Sequence, residues 1–470
     1  MLRRILQVFA FLITSANLLI NLYCYTYPSL DVENCSWKYN YKTYNSIQKR
    51  LVQIPYIGDL YDHYFVSQDP NLIPQPNDIH LLAIGDPQIN GVWPYMDARK
   101  RLDIFGNDFY LGHIYSVVKR RLQPDYVAVL GDLISCNWVS DSEYFNRTKR
   151  YSTRIFPRPE APYPSNPEAI DILADQQGIN DLDSYVSWYK QSLQEGLFST
   201  DAYYHYQDVA NWSNDRSLQP LFINTTGNHD VGYGGEISFD NLYRWNRFNG
   251  KDNYWIDYGS NTSHPWRLVV LNSLVLDGPV KHQAFQNATW QFIDSLATKE
   301  YNGSTILITH IPLYKPEGVC ADGPRIEYFT RENSPVQDWD KLGNIKQENL
   351  LTEETSQRVL SSIFKNGKPG LILTGHDHEG CVSYYSKDEG IWVVNSENPE
   401  KVAVREVTVR SIMGDFDGNT GIVTGHFSHD AEEWEFDYRQ CPFIVQHVWW
   451  ASKVVMMVDV SVLSVLMICR

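Results

Sequence analysis

Five short apolar runs in this chain each stop at a glycine, an acid or a histidine. They read Leu81-Leu82-Ala83-Ile84-Gly85-Asp86-Pro87-Gln88, Val127-Ala128-Val129-Leu130-Gly131-Asp132, Leu221-Phe222-Ile223-Asn224-Thr225-Thr226-Gly227-Asn228-His229-Asp230, Ile306-Leu307-Ile308-Thr309-His310 and Leu371-Ile372-Leu373-Thr374-Gly375-His376-Asp377-His378. An unbroken apolar stretch of this length suits a strand covered on both faces. Such strands belong to α/β sheets, in which ligands bind beyond the carboxyl ends, where these polar residues fall.

Carboxylate, amide and imidazole together suit divalent Mn, Fe or Zn, with no thiolate to select a softer ion. Two ions in one site need a shared ligand, and the two oxygens of Asp132 can each face one of them. Asp86 and His378 then complete the first site, and Asn228, His310 and His376 the second. His376 and His378 would share a side of an extended strand, so a loop has to splay them apart. A water shared by two such ions loses its proton near neutral pH and becomes a nucleophile toward phosphorus. His229 is placed to protonate the leaving oxygen, with Asp230 as an orienting partner. Any one of these blocks alone reads as a turn or a loop histidine; the weight lies in all five occurring in order.

The order Gly-Asp, Gly-Asp, Gly-Asn-His-Asp, Thr-His, Gly-His-Asp-His resembles the calcineurin-like metallophosphoesterase superfamily. Asp86-Pro87-Gln88-Ile89, Arg101 to Asp108, Asn228-His229-Asp230-Val231-Gly232 and Glu406 to Ser411 resemble its endoplasmic-reticulum (ER) branch. That branch removes ethanolamine phosphate from glycosylphosphatidylinositol (GPI) glycans. The likeness runs from about Ile79 to Gly425. It implies an α/β sandwich of two mixed sheets flanked by helices, with metals at strand ends and an N-terminal transmembrane anchor. It also implies release of ethanolamine phosphate from a GPI mannose, the second being the expected one. The substrates would be GPI-anchored proteins, whose ER exit the reaction would promote, with cargo-receptor machinery as a further partner. Rival readings are a lumenal esterase for a nucleotide or phosphoprotein, and a non-catalytic cargo-binding protein. One position departs from the superfamily: Gln88 stands where the pattern has a histidine on the first metal. A glutamine carbonyl is a neutral, harder donor than imidazole, which weakens zinc binding and favours Mn2+ or Mg2+ there. The alternative is a Gln88 that only hydrogen-bonds a metal-bound water.

With 40 basic and 56 acidic residues the net charge is −16, which argues against nucleic acid as a partner. Ile5 to Tyr25 is 21 largely apolar residues, long enough to span a bilayer. Arg3 and Arg4 before it, against Asp31 and Glu33 after it, keep the N-terminus cytosolic. A cleaved signal peptide is the rival. Phe443 to Cys469 is mostly apolar but carries Asp459, so a second span, an interfacial helix and a truncated end compete.

The expected layout is therefore a cytosolic stub and anchor at 1–25, a lumenal lead-in at 26–77, a catalytic domain at 78–435 and a hydrophobic segment at 436–470. Residues 140–220 form either a cap over the metals or a surface excursion. Within them, Asp183 to Glu195 has helical periodicity. Asn34, Asn146, Asn211, Asn261, Asn287 and Asn302 are candidate glycosylation sites; Asn224 also opens a sequon but falls in a buried strand. Cys320 and Cys381 each follow a ligand loop, so convergence of those loops would pair them; two free thiols are the alternative. Cys24 and Cys469 are expected unpaired, and Cys35, Cys136 and Cys441 have no assigned partner.

Overall fold

The computed structural model describes residues 2–54, 57–91, 96–157, 182–196, 204–207, 220–399 and 404–468. Asn211, Cys469 and most of the expected 140–220 insertion lie outside them. The strands are β1 (Ile79–Ile84), β2 (Tyr126–Val129), β3 (His205–Gln207), β4 (Leu221–Asn224), β5 (Tyr254–Tyr258), β6 (Trp266–Val270), β7 (Ser304–Ile308), β8 (Ile326–Tyr328), β9 (Ile345–Glu348), β10 (Gly370–Thr374), β11 (Cys381–Asp388), β12 (Ile391–Asn395), β13 (Val404–Thr408), β14 (Thr420–Ser428) and β15 (Glu433–Cys441). The helices used below are α1 (Leu2–Leu30), α2 (Ala98–Leu122), α3 (Asp141–Arg150), α4 (Phe239–Phe248), α5 (Gln283–Thr298), α6 (Glu353–Ile363) and α7 (Gln446–Ile468).

One sheet runs β15-β14-β1-β2-β4 and the other β12-β11-β13-β10-β7-β6-β5-β3. Both are mixed. In the first, β1, β2 and β4 are parallel while β14 opposes β1. In the second, β6, β7, β10 and β13 are parallel. Alternation along each strand sorts its side chains. Leu81 and Ala83 of β1 join Ile306, Ile308, Leu371 and Leu373 in an apolar layer between the sheets. Leu82 and Ile84 face the other way, with Ile114 and Val118 of α2. All are fully buried, which is why these runs lack polar alternation. Within each sheet the strands that carry candidate ligands run parallel to one another, β1, β2 and β4 in the first and β7 and β10 in the second, so their carboxyl ends point to the same rim.

Each terminus carries a helix long and apolar enough to cross a membrane: residues within Arg3–Pro28, and Gln446–Ile468. The two are joined through Asp459, whose oxygens accept from Thr14 (2.6 Å) and Asn17 (2.8 Å) of α1. Just after the Leu30 end of α1 and just before the Gln446 end of α7, a disulfide ties Cys35 to Cys441 at the end of β15. A second one joins Cys320 to Cys381. Cys24 and Cys136 are unpaired.

Candidate metal centre

Asp86 follows β1, Asp132 follows β2 and Asn228 follows β4; His310 follows β7, and His376 and His378 follow β10. The strand ends therefore bring three residues from each sheet to one rim. The turns that deliver them are unusual. Asp86, Gln88, Asp132 and His376 have positive φ (38°, 40°, 52° and 75°), a region that side-chain-bearing residues avoid and that clusters at functional sites. Neighbouring backbone pins them: Gln88 N–H donates to the Asp132 carbonyl (2.9 Å), Ile412 N–H to the Gly85 carbonyl, and Ser411 Oγ to the Asp86 carbonyl (3.0 Å).

The hydrogen-bond partners fix where the histidine protons sit. A backbone carbonyl only accepts, so the ring nitrogen facing it carries the hydrogen and the other presents a lone pair. His310 Nδ1 faces Leu130 O at 2.7 Å. His376 Nε2 faces Glu348 O at 2.9 Å. The remaining nitrogens, His310 Nε2 and His376 Nδ1, both lie 3.0 Å from Asn228 Oδ1. His310 Nε2 is also 3.4 Å from Asp132 Oδ1. Lone pairs thus converge on lone pairs with no proton between them, an arrangement that a cation relieves. Oxygens of Asp86 and Asp132 and a nitrogen of His310 all lie within 4.8 Å of one another, and all three residues are buried. The residues present fit a divalent ion there, and the backbone carbonyls serve as the outer supports that hold ligating histidines in place.

Electrostatics agree. Burial, and then Asp132 beside it, push the Asp86 carboxyl well above its usual range. Burial also pushes Asp132 up, but His310, His229 and the His229 backbone N–H outweigh it, leaving that carboxyl lowered. Burial lowers His310, and burial with His310 beside it lowers His376 to about 3. The two imidazoles are neutral, as ligands must be. The ion-pair contacts to Asp86 and Asp132 come from histidines, with His378 Nε2 at 4.0 Å from Asp86.

Gln88 turns its amide Nε2 toward Asp132 Oδ2 (3.1 Å) and His378 Nε2 (3.2 Å). It occupies the first-metal side with a donor; its oxygen would reach an ion there only after the amide turns over. His229 donates its backbone N–H to Asp132 Oδ1 (2.8 Å), and its Nδ1 faces Ser135 O (2.8 Å). Its Nε2, 3.8 Å from Asp132 Oδ2, belongs to a side chain 40% exposed, at a cavity of about 560 Å³ lined also by Asn90, Asn137, Trp138 and Tyr233. Asp230 does not fill the orienting role expected of it. Its carboxylate accepts from the N–H groups of Ile134 (3.1 Å) and Gly227 (2.9 Å), closing the turn under Asn228, and the Ser135 carbonyl orients His229 instead. Asn34, Asn146, Asn261, Asn287 and Asn302 are exposed. Asn224 is buried and bonded to Tyr151 and Asn249.

Sequence reasoning missed Ser135, Leu130 and Glu348, because they act through backbone oxygens that any residue carries. It also missed Lys315, whose Nζ sits 2.7 Å from the buried Glu406. Glu406 further accepts from Leu313 N–H and Tyr385 OH, bracing the His310 loop. The Glu406–Ser411 stretch thus supports the site at both ends, through Glu406 and Ser411.

No family model matches the chain. Protein TED1 of Saccharomyces cerevisiae is 42% identical, across 99% of this chain and 100% of that protein. An uncharacterized Schizosaccharomyces pombe protein is 27% identical, across 74% of this chain and 69% of its own length. Cell division control protein 1 of S. cerevisiae is 20% identical across 59% and 56%. Among solved structures, GAP50, the anchor in the inner membrane complex of Plasmodium, covers 78% of this chain and 89% of its own at 10% identity. Its TM-score of 0.31 is too low to carry an inference.

Proposed function

The chain belongs to the family of the budding-yeast Protein TED1, and on that premise we propose that it is a metal-dependent phosphoester hydrolase. The observation that supports this most is the convergence of unprotonated ring nitrogens, an amide oxygen and two buried carboxylates on one point. Asn228, His310 and His376 with Asp132 would hold one divalent ion, and Asp86 and His378 with the other face of Asp132 a second, Mn2+ being the expected metal. Such ions supply Lewis acidity and a hydroxide at neutral pH. The Ser135 carbonyl holds the His229 Nδ1–H and turns Nε2 toward the cavity, so the imidazolium form, with Nε2 also protonated, would deliver the Nε2 proton to the leaving oxygen. The Asp86 and Asp132 carboxylates offset the charge of the ions, and the Glu348 and Leu130 carbonyls keep the imidazoles aimed.

The finer reading rests on the resemblance of the blocks around Asp86, Asn228 and Glu406 to the GPI-remodelling branch. We infer a phosphodiesterase that removes ethanolamine phosphate from a GPI mannose, the second being favoured. It would act on GPI-anchored proteins from the lumenal side of the ER membrane, and two apolar terminal helices suit an enzyme whose substrate is lipid-anchored. The test is incubation of the purified full chain and Mn2+ with defined GPI glycans, read by mass spectrometry. Loss of one ethanolamine phosphate, abolished by Asp132→Asn, is expected. An intact glycan beside hydrolysis of a generic phosphodiester would sink the GPI assignment alone. No hydrolysis of either by metal-loaded protein would sink the enzyme.

A further inference from the structure

We propose that α2 lies flat on the bilayer and inserts its Leu102, Phe105 and Phe109 side chains at the acyl–headgroup boundary, with anionic phospholipid phosphates against its basic first turn. The placement rests on α1 and α7 crossing a membrane; only the functional arm of its test draws on the enzymatic reading.

The orientation follows from register. α1 and α7 run antiparallel, so paired positions keep a nearly constant sum. Asp459 bonds Thr14 and Asn17, which puts Cys24 level with Trp450. α2 touches both of those residues. A side chain at Gly106 would collide with the Trp450 ring, and His113 Nε2 lies 3.1 Å from Cys24 O, its ring 4.6 Å from that of Tyr25. Gly106 and His113 are seven positions apart, about 10 Å at 1.5 Å per residue. That matches the roughly 8–10 Å between the axes of packed helices. A helix that meets two antiparallel spans at one level, spaced by their separation, runs across them and parallel to the membrane. Trp450 and Asp459 are nine positions apart, about 13 Å, or nearly half of a hydrocarbon core of about 30 Å.

The face that meets the spans continues as an exposed apolar stripe. At 100° per residue, Leu102, Phe105, Gly106, Phe109 and His113 fall within one sector of about 100°. Leu102, Phe105 and Phe109 are 58%, 50% and 43% exposed. The opposite face, with Leu111, Ile114 and Val118, is already buried in the protein core, so nothing in helix amphipathicity explains the exposed aromatics. Charge points the same way. The Asp97 cap accepts from Lys100 N–H, and beyond it the first turn holds Arg99, Lys100 and Arg101 and no acid, a concentration of positive charge that an anionic surface favours. The Arg154 guanidinium lies 5.5 and 5.3 Å from the Phe105 and Phe109 rings. Arg150, beside it, bonds the Asn90 carbonyl (2.8 Å), and Asn90 lines the cavity that holds His229. Docking of this face therefore holds the cavity mouth at the membrane.

The test uses the full chain in nanodiscs with Cys24, Cys136 and Cys469 replaced by serine. An environment-sensitive fluorophore is attached at Phe105→Cys, and in a control at the exposed Asp294→Cys on α5. Shallow bromolipids should quench the 105 probe by roughly half and blue-shift it, as expected for an interfacial helix at a depth of about 5–10 Å, and leave the 294 probe unchanged. Quenching of the 105 probe by aqueous iodide instead would overturn the proposal. So would protection from both quenchers with a doubled particle mass, which would give the face to a second copy. As a functional arm, Leu102→Glu with Phe105→Glu should lower turnover of a vesicle-embedded substrate at least about tenfold, while a soluble phosphodiester is hydrolysed at the unaltered rate. An equal loss on both substrates would overturn it.

Discussion

Asp132→Asn should make the metal-free protein more stable while removing its response to metal. In the metal-free state two buried carboxylates face lone pairs rather than cations. Asp86 and Asp132 oxygens lie within 4.8 Å of each other. At that separation and an effective dielectric constant near 20, two ionised carboxylates repel by about 3.5 kcal/mol, a penalty felt in full only above the pH at which the raised Asp86 carboxyl ionises. Asparagine removes that repulsion and still accepts the His229 N–H through its oxygen. It loses the bond from Gln88 Nε2, worth about 1 kcal/mol. The net gain is about 2.5 kcal/mol, or roughly 2–3 °C in Tm for a chain of this size.

Wild type should be stabilised by about 2.7 kcal/mol when Mn2+ is at a hundred times its Kd, and the variant should forfeit most of that. A pH arm adds the sign. Asp86 is held above its unfolded pKa, so the native state binds the extra proton and metal-free stability falls as pH rises from about 4 through the folded value. Burial still raises Asp86 in the variant, so the slope should persist but lessen, because the Asp132 charge that adds to the effect of burial is gone. Thermal and denaturant unfolding in chelator and in Mn2+, across pH, measures all three. The reasoning fails if the chelated variant is the less stable protein, or if Mn2+ raises both equally.

His229→Asn should keep the Mn2+-induced rise in Tm and lower kcat by about 10²–10⁴, the usual contribution of a positioned acid. Gln88→His places an imidazole against Asp132 and His378 and should tighten zinc about tenfold or more, measured by competition with a chromophoric chelator; unchanged zinc affinity would put position 88 outside the coordinating set. Cys35→Ser with Cys441→Ser opens a loop of 406 residues, worth about 6 kcal/mol on chain entropy alone. The α1–α7 pair already brings those ends together, leaving a loop of roughly 20 residues and an expected cost of about 3 kcal/mol, read by unfolding in bilayers. Glu406→Gln strands the buried Lys315 ammonium and should cost about 3–5 kcal/mol, most of it recovered by adding Lys315→Met.

The sheet strands and the gathering of the six candidate residues at one rim were legible because their signals are local: an apolar run fixes the strand and the next polar residue falls at its end. The expected helix from Asp183 to Glu195 appears as Leu182–Gln194 for the same reason. What escaped depends on distant partners. Nothing near Cys35 or Cys441 announces a bond across 406 residues. Asp459 made the C-terminal segment read as a marginal span, because a carboxylate in a bilayer costs about 3 kcal/mol on insertion scales. That cost falls once Thr14 and Asn17, hundreds of residues away, donate to both of its oxygens. Asp230 misled by adjacency: it follows His229 in the chain, yet its carboxylate turns back to the backbone of Gly227 and Ile134.

The same contrast explains why the site sits where local preference yields. Asp86, Gln88, Asp132 and His376 occupy left-handed backbone, each at a cost of about 1–2 kcal/mol relative to ordinary conformations. Propensity alone would place glycine at all four. The ladder overrules it: Leu130 N–H reaches the Ile84 carbonyl, Gln88 N–H the Asp132 carbonyl, and Val409 N–H the Thr374 carbonyl. These bonds clamp each turn to its neighbour, so relaxing one turn requires breaking sheet pairing on both sides. A carboxylate held this way cannot swing out to water when the cation is absent, so its lone pairs stay aimed at one point. Rigidity of the strand ends, more than the identity of any single ligand, keeps like charges gathered there against their repulsion.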